Sequence, residues 1–271
     1  MADPAYVLGH SERELERLRS QARLIEPATR AFFREAGIAP GLRVLDFGSG
    51  AGDVAFLAAE LVGPEGTVIG IDRAAAAVEA ATGTARERAL TNVSFREGDA
   101  ARMSFERPFD AVVGRYVLLF QADASATLRA LSRHLRPGGL MAFHEPDWTA
   151  ARSSPATPTY DNCWRWLQER FRRAETDGNM ADRLYGIFVG AGLNAPQMRM
   201  QTFIAGGAAT HPMIEALAQL VGTLAPNFEE LGIATAAQMD VATLATRMKQ
   251  EIAAVDAMVI GRAEVCAWAR L

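Results

Sequence analysis

The stretch VLDFGSGAGD, residues 44–53, decides the fold. An apolar run ending at Asp46 is followed by three glycines, Gly48, Gly50 and Gly52, and then by a helical pattern. Glycine adopts backbone conformations that other residues avoid, and its missing side chain lets a ligand approach the backbone at the start of a helix. The stretch therefore predicts a strand, a tight ligand-binding turn and a helix.

An acidic residue at the end of the second predicted strand indicates the kind of ligand. Asp72 ends the pattern TVIGID, residues 67–72, and follows Gly48 by 24 positions. A carboxylate at this place can accept hydrogen bonds from both hydroxyls of a ribose. We therefore expect a ligand that contains a nucleoside.

Two classes of nucleoside ligand compete, because residues 50–55 also match the G-x-G-x-x-A form of the dinucleotide fingerprint. A pyrophosphate would lie beside Asp46 and Asp53, and the loop contains no lysine or arginine to offset the repulsion. The cationic S-adenosylmethionine avoids this cost, with Asp46 receiving its amino end directly or through water. An NADP-dependent oxidoreductase remains the alternative.

Short apolar runs alternate with helical patterns around this stretch, which predicts a parallel sheet covered by helices on both faces. Ser11 and Glu14 form a capping-box pattern at the first helix. The predicted elements are a helix over 11–36, a strand over 43–47, a helix over 53–62, a strand over 67–72, a helix over 74–90, strands over 93–97 and 109–113, a helix over 124–135 stopped by Pro-Gly-Gly at 137–139, and a strand over 140–145.

The pattern changes after Pro146, where Pro155 and Pro158 predict a loop. Helices are predicted over 160–176 and 180–191, strands over 197–205 and 258–269, and a mostly helical insertion over 212–255. Long insertions of this kind commonly serve as lids or binding walls. We interpret 1–271 as a single domain with an N-terminal helical segment over 1–40, a cofactor-binding core over 41–146, and helical acceptor-binding or lid segments over 147–196 and 206–257.

Composition excludes several classes of protein. With 271 residues, 49% hydrophobic and 22% charged, the chain is an ordinary globular protein rather than a disordered or fibrous one. The formal net charge of -4 makes nucleic acid a poor partner. No secretory signal or membrane-spanning run is visible. Cys163 and Cys266 form no disulfide framework, so a cytoplasmic location fits best.

Five segments in a fixed order resemble the class I S-adenosylmethionine-dependent methyltransferases of the small-molecule type, which include quinone-biosynthesis and natural-product enzymes. The matching segments are residues 44–52, 68–72, 97–100, 109–113 and 135–140. The resemblance implies a Rossmann-like fold with a doubly wound, seven-stranded, mostly parallel sheet whose last strand is antiparallel. It also implies S-adenosylmethionine as cofactor and S-adenosylhomocysteine as product.

The resemblance further implies where the cofactor is held. It assigns methionine-moiety contacts to Asp46, Gly48 and Gly50, ribose contacts to Asp72, and adenine contacts to Arg73, Asp99 and Ala100. Ser49 is included among the cofactor contacts, although the family commonly has a cysteine there, and Phe47 replaces a small aliphatic residue. Asp99 has a structural alternative, since an aspartate at this place can simply cap the following turn.

The ends of the fourth and fifth predicted strands supply the candidates for acceptor chemistry. The resemblance implies that residues 114–116 pass close to the methyl-donor centre, where Arg115 can pair with the cofactor carboxylate or with an acid of the protein. His144 is the first candidate base and Tyr116 the second. The structural alternative for His144 is a ring tied to a backbone carbonyl. No metal site is predicted.

These observations predict methyl transfer from S-adenosylmethionine to an oxygen, nitrogen or carbon atom of a small-molecule acceptor. Two alternatives stay open besides the oxidoreductase: a cofactor-binding protein with other catalysis, and a macromolecular acceptor. The assembly state stays open as well, with a homodimer as one option.

Overall fold

The computed structural model describes residues 12–173 and 180–271, with side chains from Leu24 onward. The helices are α1 Glu12–Ala36, α2 Asp53–Val62, α3 Ala75–Glu87, α4 Ala124–Ser132, α5 Pro158–Arg173, α6 Met180–Gly190, α7 His211–Glu230, α8 Ala236–Met239 and α9 Leu244–Ala254. The strands are β1 Arg43–Phe47, β2 Thr67–Asp72, β3 Val93–Glu97, β4 Phe109–Arg115, β5 Leu135–Asp147, β6 Arg152–Ser154, β7 Gln197–Gly206 and β8 Met258–Arg270. Short 3₁₀ helices cover Leu118–Phe120 and Gly207–Thr210.

The predicted first and last residues of four elements around the glycine stretch are confirmed. β1, α2, β2 and β3 begin and end where the sequence predicts, because turn-forming residues bound each apolar run. Helix α3 is shorter than the predicted 74–90, and β4 is two residues longer than predicted, ending at Arg115. The capping-box prediction at Ser11 lies outside the described residues.

The Pro-Gly-Gly segment at 137–139 lies inside a strand, which corrects the predicted helix over 124–135. Helix α4 ends at Ser132, and β5 begins at Leu135. The Gly138 N–H donates to the Leu271 carbonyl, and the Leu271 N–H donates to the Gly139 carbonyl, both at 3.0 Å. Pro and Gly residues usually mark turns, so the sequence alone predicts an interruption at 137–139. Pairing with Leu271 keeps this segment extended instead.

A short strand replaces part of the loop predicted after Pro146. β6 pairs antiparallel with β8, with Ser153 opposite Val259. The described residues thus form eight strands rather than the predicted seven. A three-residue strand is too short to show a period-two pattern, and the neighbouring prolines favour a loop in the sequence.

The described chain divides into two compact units. The sheet unit comprises Ile25–Glu145, Met180–Arg199 and Val265–Leu271, and the helical unit comprises residues 12–24, 146–173 and 200–264. The sheet unit contains the strand order β3-β2-β1-β4-β5, with every neighbouring pair parallel. This order confirms the doubly wound, mostly parallel fold, in which ligands bind at the carboxyl ends of the strands.

Each unit has its own apolar core. In the sheet unit, side chains of α1 and α2, including Phe32, Phe33 and Ala58, pack on buried β-strand residues such as Val44 and Val113. In the helical unit, the core is formed mainly by α5, α7 and α9. The sheet core fixes the strand ends at which the candidate site lies.

Candidate active site

The glycine loop follows β1 and is hydrogen-bonded to β2. The N–H groups of Gly48 and Ser49 both donate to the Ile71 carbonyl, at 2.9 and 3.0 Å. Gly48, Gly50 and Gly52 have φ values of 69°, 52° and 94°, a region that favours glycine. The loop therefore needs these glycines for its shape, as the sequence predicts.

Asp46 lies at this loop with its carboxylate buried and unsatisfied. The residue is 1% exposed, and neither carboxylate oxygen has a hydrogen-bond partner among the described residues. Burial raises the pKa of Asp46 to about 8, Arg115 opposes the rise, and Asp72 and Asp53 add to it. The Ala55 amide also favours the ionised form, although it does not reach hydrogen-bond geometry. Such a carboxyl group is costly to bury without a donor.

Ser49 adds a second unsatisfied group in the same loop. Its side chain is buried, and within the described chain its hydroxyl has no hydrogen-bond partner. Ser49 packs against β2 where Gly70 has no side chain, since a Cβ at Gly70 would lie 2.9 Å from the Ser49 Cβ. The loop thus holds two unsatisfied polar side chains, those of Asp46 and Ser49.

Asp72 uses its carboxylate to shape the loop. Oδ2 accepts the Gly50 N–H at 2.7 Å, and Oδ1 accepts the Ala74 N–H at 2.9 Å. A carboxylate can accept about four hydrogen bonds, so these two leave acceptor capacity for a ribose. The structure therefore brings Asp72 to the predicted place and adds a role in orienting Gly50.

Asp99 shows the capping arrangement that the sequence left as its structural alternative. Its Oδ1 accepts the Ala101 N–H at 3.0 Å, and its Oδ2 accepts from Arg73 at 2.8 Å. Ala100 is buried, and its carbonyl lies 2.8 Å from Nε2 of His134. The structure thus joins Arg73 to Asp99, and the adenine role of these three predicted residues stays a prediction.

A polar cluster lies at the ends of β4 and β5. His144 is fully buried, and its Nδ1 lies 3.1 Å from the Thr29 hydroxyl. Arg115 donates from Nη1 to the same hydroxyl at 3.1 Å. Tyr116 packs edge-on against the His144 ring, with 5.4 Å between ring centroids. Sequence reasoning missed Thr29, since one threonine within a helical pattern carries no signal.

Tyr116 has a backbone conformation that is rare for its residue type. Its φ is 56°, in the left-handed region, and its N–H donates to the His144 carbonyl at 2.9 Å. Non-glycine residues held in this way cost roughly 1–3 kcal/mol and cluster at functional sites. This strain is a second indication that the β4 end has a function.

Glu145 is a further residue that sequence reasoning did not select. It is fully buried, and its Oε1 accepts the N–H groups of Val117 and Leu118 at 3.0 and 2.8 Å. Val117 in turn packs on Gly48, because a Cβ at Gly48 would lie 2.5 Å from its Cγ2. Glu145 therefore fixes the turn after β4 against the glycine loop.

Two negative findings concern the described part of the chain. No group of three or more His, Cys, Asp or Glu side chains there has the placement to hold a metal ion. None of its helices is both long and apolar enough to cross a bilayer.

The fold and the local geometry define a doubly wound α/β protein with a glycine loop and a buried polar cluster at the carboxyl ends of its strands. Residues 38–192 match the family model described as a methyltransferase domain, so the chain belongs to the methyltransferase-domain family.

Curated relatives match part of the chain. The aklanonic acid methyltransferase DauC of Streptomyces sp. (strain C5) is 43% identical over 111 residues, which cover 41% of this chain and 50% of the relative. The demethylmenaquinone methyltransferase of Lactococcus lactis subsp. lactis is 35% identical over 128 residues, 47% of this chain and 48% of the relative. The match thus spans about half the length of these relatives.

A solved structure covers most of the chain. Geranyl diphosphate C-methyltransferase from Streptomyces coelicolor A3(2), in complex with Mg²⁺, geranyl diphosphate and S-adenosyl-L-homocysteine, aligns with a TM-score of 0.57. The alignment covers 98% of this chain and 87% of that chain at 18% identity. At this identity the likeness shows the fold alone.

Proposed function

We propose that the sheet unit binds S-adenosylmethionine and that the protein transfers its methyl group to a small-molecule acceptor. The observation that carries this proposal is the buried, unsatisfied carboxylate of Asp46 at the glycine loop. A cationic ligand group would offer this carboxyl group the hydrogen-bond donor that the described residues do not supply, and its charge would add to that of Arg115. Family membership supports the same function.

The chain's residues fit S-adenosylmethionine better than a dinucleotide. The amino and sulfonium groups of the cofactor are cationic. Three aspartates, Asp46, Asp53 and Asp72, lie around the loop. Asp53 and Asp72 each raise the pKa of Asp46, as expected for neighbouring carboxylates, whereas Arg115 lowers it. A pyrophosphate would add negative charge beside these carboxylates, which disfavours the oxidoreductase alternative.

The roles of the chain's residues follow from their positions. Asp46 would bind the amino end, Asp72 the ribose, and the loop formed by Gly48, Ser49 and Gly50 would lie against the methionine moiety. When bound, the cofactor supplies a methyl group already activated by the sulfonium. The protein then has to align the acceptor, exclude water and, where the acceptor requires it, remove a proton.

His144 and Tyr116 are our candidates for that proton transfer. Both lie at the strand ends next to Arg115, and both are ring neighbours in one cluster. A histidine titrates near neutral pH when unperturbed, so it suits a phenol or amine acceptor better than a tyrosine does. We therefore rank His144 first.

We propose that the acceptor is small and partly apolar and that the protein acts in the cytoplasm. The names of the aligned relatives include aklanonic acid and demethylmenaquinone, and the helical unit of this chain contains a buried aromatic cluster. Trp148 packs with Trp164 and Phe171 at centroid distances of 5.8 and 4.9 Å. The same unit has an open cleft of about 640 Å³, which is lined by Trp166, Ile233 and several polar or charged side chains. Both cysteines are free and buried, which fits a reducing compartment.

Cofactor turnover tests this function directly. The purified protein is incubated with S-adenosylmethionine and a panel of phenols, quinols and amines, and S-adenosylhomocysteine is measured by mass spectrometry. We expect acceptor-dependent formation of S-adenosylhomocysteine with a matching mass gain of one methyl group on the acceptor. Cofactor binding without any transfer would instead support the alternative of a cofactor-binding protein with other catalysis.

We predict that Asp72→Ala weakens S-adenosylmethionine binding about 10- to 100-fold, because it removes charge-assisted acceptors for the ribose and frees the Gly50 N–H. Isothermal titration calorimetry measures the effect. Asp110→Ala is the matched control, since Asp110 also accepts a backbone N–H, that of Arg43, but at the opposite end of β1. Equal affinities for the Asp72 variant and the wild type would contradict the ribose assignment.

A further inference from the structure

Thr29 occupies a place in the sheet unit where one hydroxyl joins three polar groups. It lies fully buried in α1, and its Oγ1 is 3.3 Å from the Ile25 carbonyl, 3.1 Å from Nδ1 of His144 and 3.1 Å from Nη1 of Arg115. A threonine hydroxyl has one donor site and two acceptor sites, so it can form three hydrogen bonds, one for each of these contacts. Its hydrogen-bonding capacity is therefore fully used.

The assignment that satisfies all three contacts has a definite polarity. Thr29 donates to the Ile25 carbonyl, and it accepts from Arg115 and from an Nδ1–H of His144. A valine in the same space would leave a guanidinium donor and an imidazole donor without their acceptor. The hydroxyl, rather than the shape of the side chain, is therefore the part that matters.

Arg115 acts on Asp46, although the two residues form no hydrogen bond with each other. Its charge is the largest influence that favours the ionised form of Asp46, against burial and the carboxylates of Asp72 and Asp53. The register supports this proximity, because Asp46 pairs with Val113 on β4, two residues before Arg115. The direction in which Arg115 points therefore affects how Asp46 is charged.

We propose that Thr29 is a positioning residue, whose hydroxyl holds the Arg115 guanidinium near Asp46 and fixes the ring orientation of His144. Thr29 itself touches no reacting group in this account; it acts through these two side chains. The consequence for cofactor affinity rests on the proposed function. The consequence for Asp46 does not, because it is a property of the protein without any ligand.

A titration of the protein without ligand tests the positioning role. Carbon-13 carboxyl signals of labelled aspartate are followed against pH, and the Asp46 signal is assigned by its loss in Asp46→Asn. We expect Thr29→Val to raise the Asp46 midpoint by about 0.5 to 1 pH unit, because Arg115 is no longer held nearby. Thr29→Ser, which keeps the hydroxyl, should titrate like the wild type.

Arg115→Gln provides a second route to the same result. Arg115→Gln should raise the Asp46 midpoint, as Thr29→Val does. The double variant should show no rise beyond that of Arg115→Gln alone, because both changes remove the same interaction between Arg115 and Asp46. An unchanged midpoint in Thr29→Val, an equal shift in Thr29→Ser, or fully additive shifts in the double variant would each overturn the proposal.

Cofactor affinity gives the second readout. We expect Thr29→Val to bind S-adenosylmethionine about tenfold more weakly and Thr29→Ser to stay within about twofold of the wild type. Failure of the wild-type protein to bind the cofactor would overturn the proposed function, while the ligand-free titration would still decide the role of Thr29. A loss of affinity in Thr29→Val with an unchanged Asp46 midpoint would contradict positioning through Arg115.

Discussion

Asp46→Asn should weaken S-adenosylmethionine binding about 100-fold or more while making the ligand-free protein more stable. The affinity falls because, in the function proposed above, the buried carboxylate binds the cationic end of the cofactor. The stability rises because the same carboxylate is 1% exposed and unsatisfied among the described residues. We expect the free energy of unfolding to rise by about 1 to 3 kcal/mol at pH 8, because the amide removes the buried charge. The gain is limited because the amide still has no hydrogen-bond partner.

The pH dependence of unfolding gives this prediction a sign that can be checked. The pKa of Asp46 is raised to about 8 in the folded protein, so the folded state holds a proton that the unfolded chain has already lost at neutral pH. The contribution of Asp46 to the free energy of unfolding therefore falls as pH rises from about 4 to about 8. Denaturant titrations across this range should show the fall in the wild type and its absence in Asp46→Asn. A variant less stable than the wild type at pH 8 would contradict the account.

Gly48→Ala should both destabilise the protein and abolish cofactor binding. Gly48 has a φ of 69°, and an added Cβ would lie 2.5 Å from Cγ2 of Val117, whose N–H is bound by Glu145. Left-handed strain and overpacking together should lower the free energy of unfolding by about 2 to 4 kcal/mol. Urea unfolding and calorimetric titration with S-adenosylmethionine measure the two effects.

Two control variants separate strain from collision in the Gly48 experiment. Gly41 has a φ of 82° and nothing within 4 Å of an added Cβ, so Gly41→Ala should show only the strain, about 1 to 2 kcal/mol, with unchanged cofactor binding. Val117→Ala removes the colliding methyl groups, so the double variant should be more stable than the sum of the single effects predicts. Equal destabilisation in Gly41→Ala and Gly48→Ala would show that contact with Val117 has no consequence.

Local pattern was sufficient to predict the elements that carry the cofactor loop. β1 and β2 are apolar runs that end in Asp46-Phe47 and Asp72, and glycines or charged residues bound them on both sides. The start of β5 could not be predicted in this way. Its Pro-Gly-Gly segment is extended only because Gly138 and Gly139 pair with Leu271, more than a hundred residues away.

The candidate site shows the same division between local and distant causes. The positions of Asp46, Asp72 and Asp99 in the fold were predictable, because the first two lie within the last two residues of β1 and β2 and the third lies two residues after β3. That Asp46 is left unsatisfied could not be predicted, since it depends on what packs around the loop. Thr29 became visible only when α1 was placed against the ends of β4 and β5, since its two side-chain partners lie 86 and 115 positions away in the sequence.

The most direct test of the central claim is native mass spectrometry of the purified protein offered S-adenosylmethionine and NADPH together at equal concentration. The acidic residues Asp46, Asp53 and Asp72 around the glycine loop predict an adduct with the mass of S-adenosylmethionine or S-adenosylhomocysteine and none with the mass of NADPH. An NADPH adduct alone, or no nucleoside adduct at all, would contradict the account.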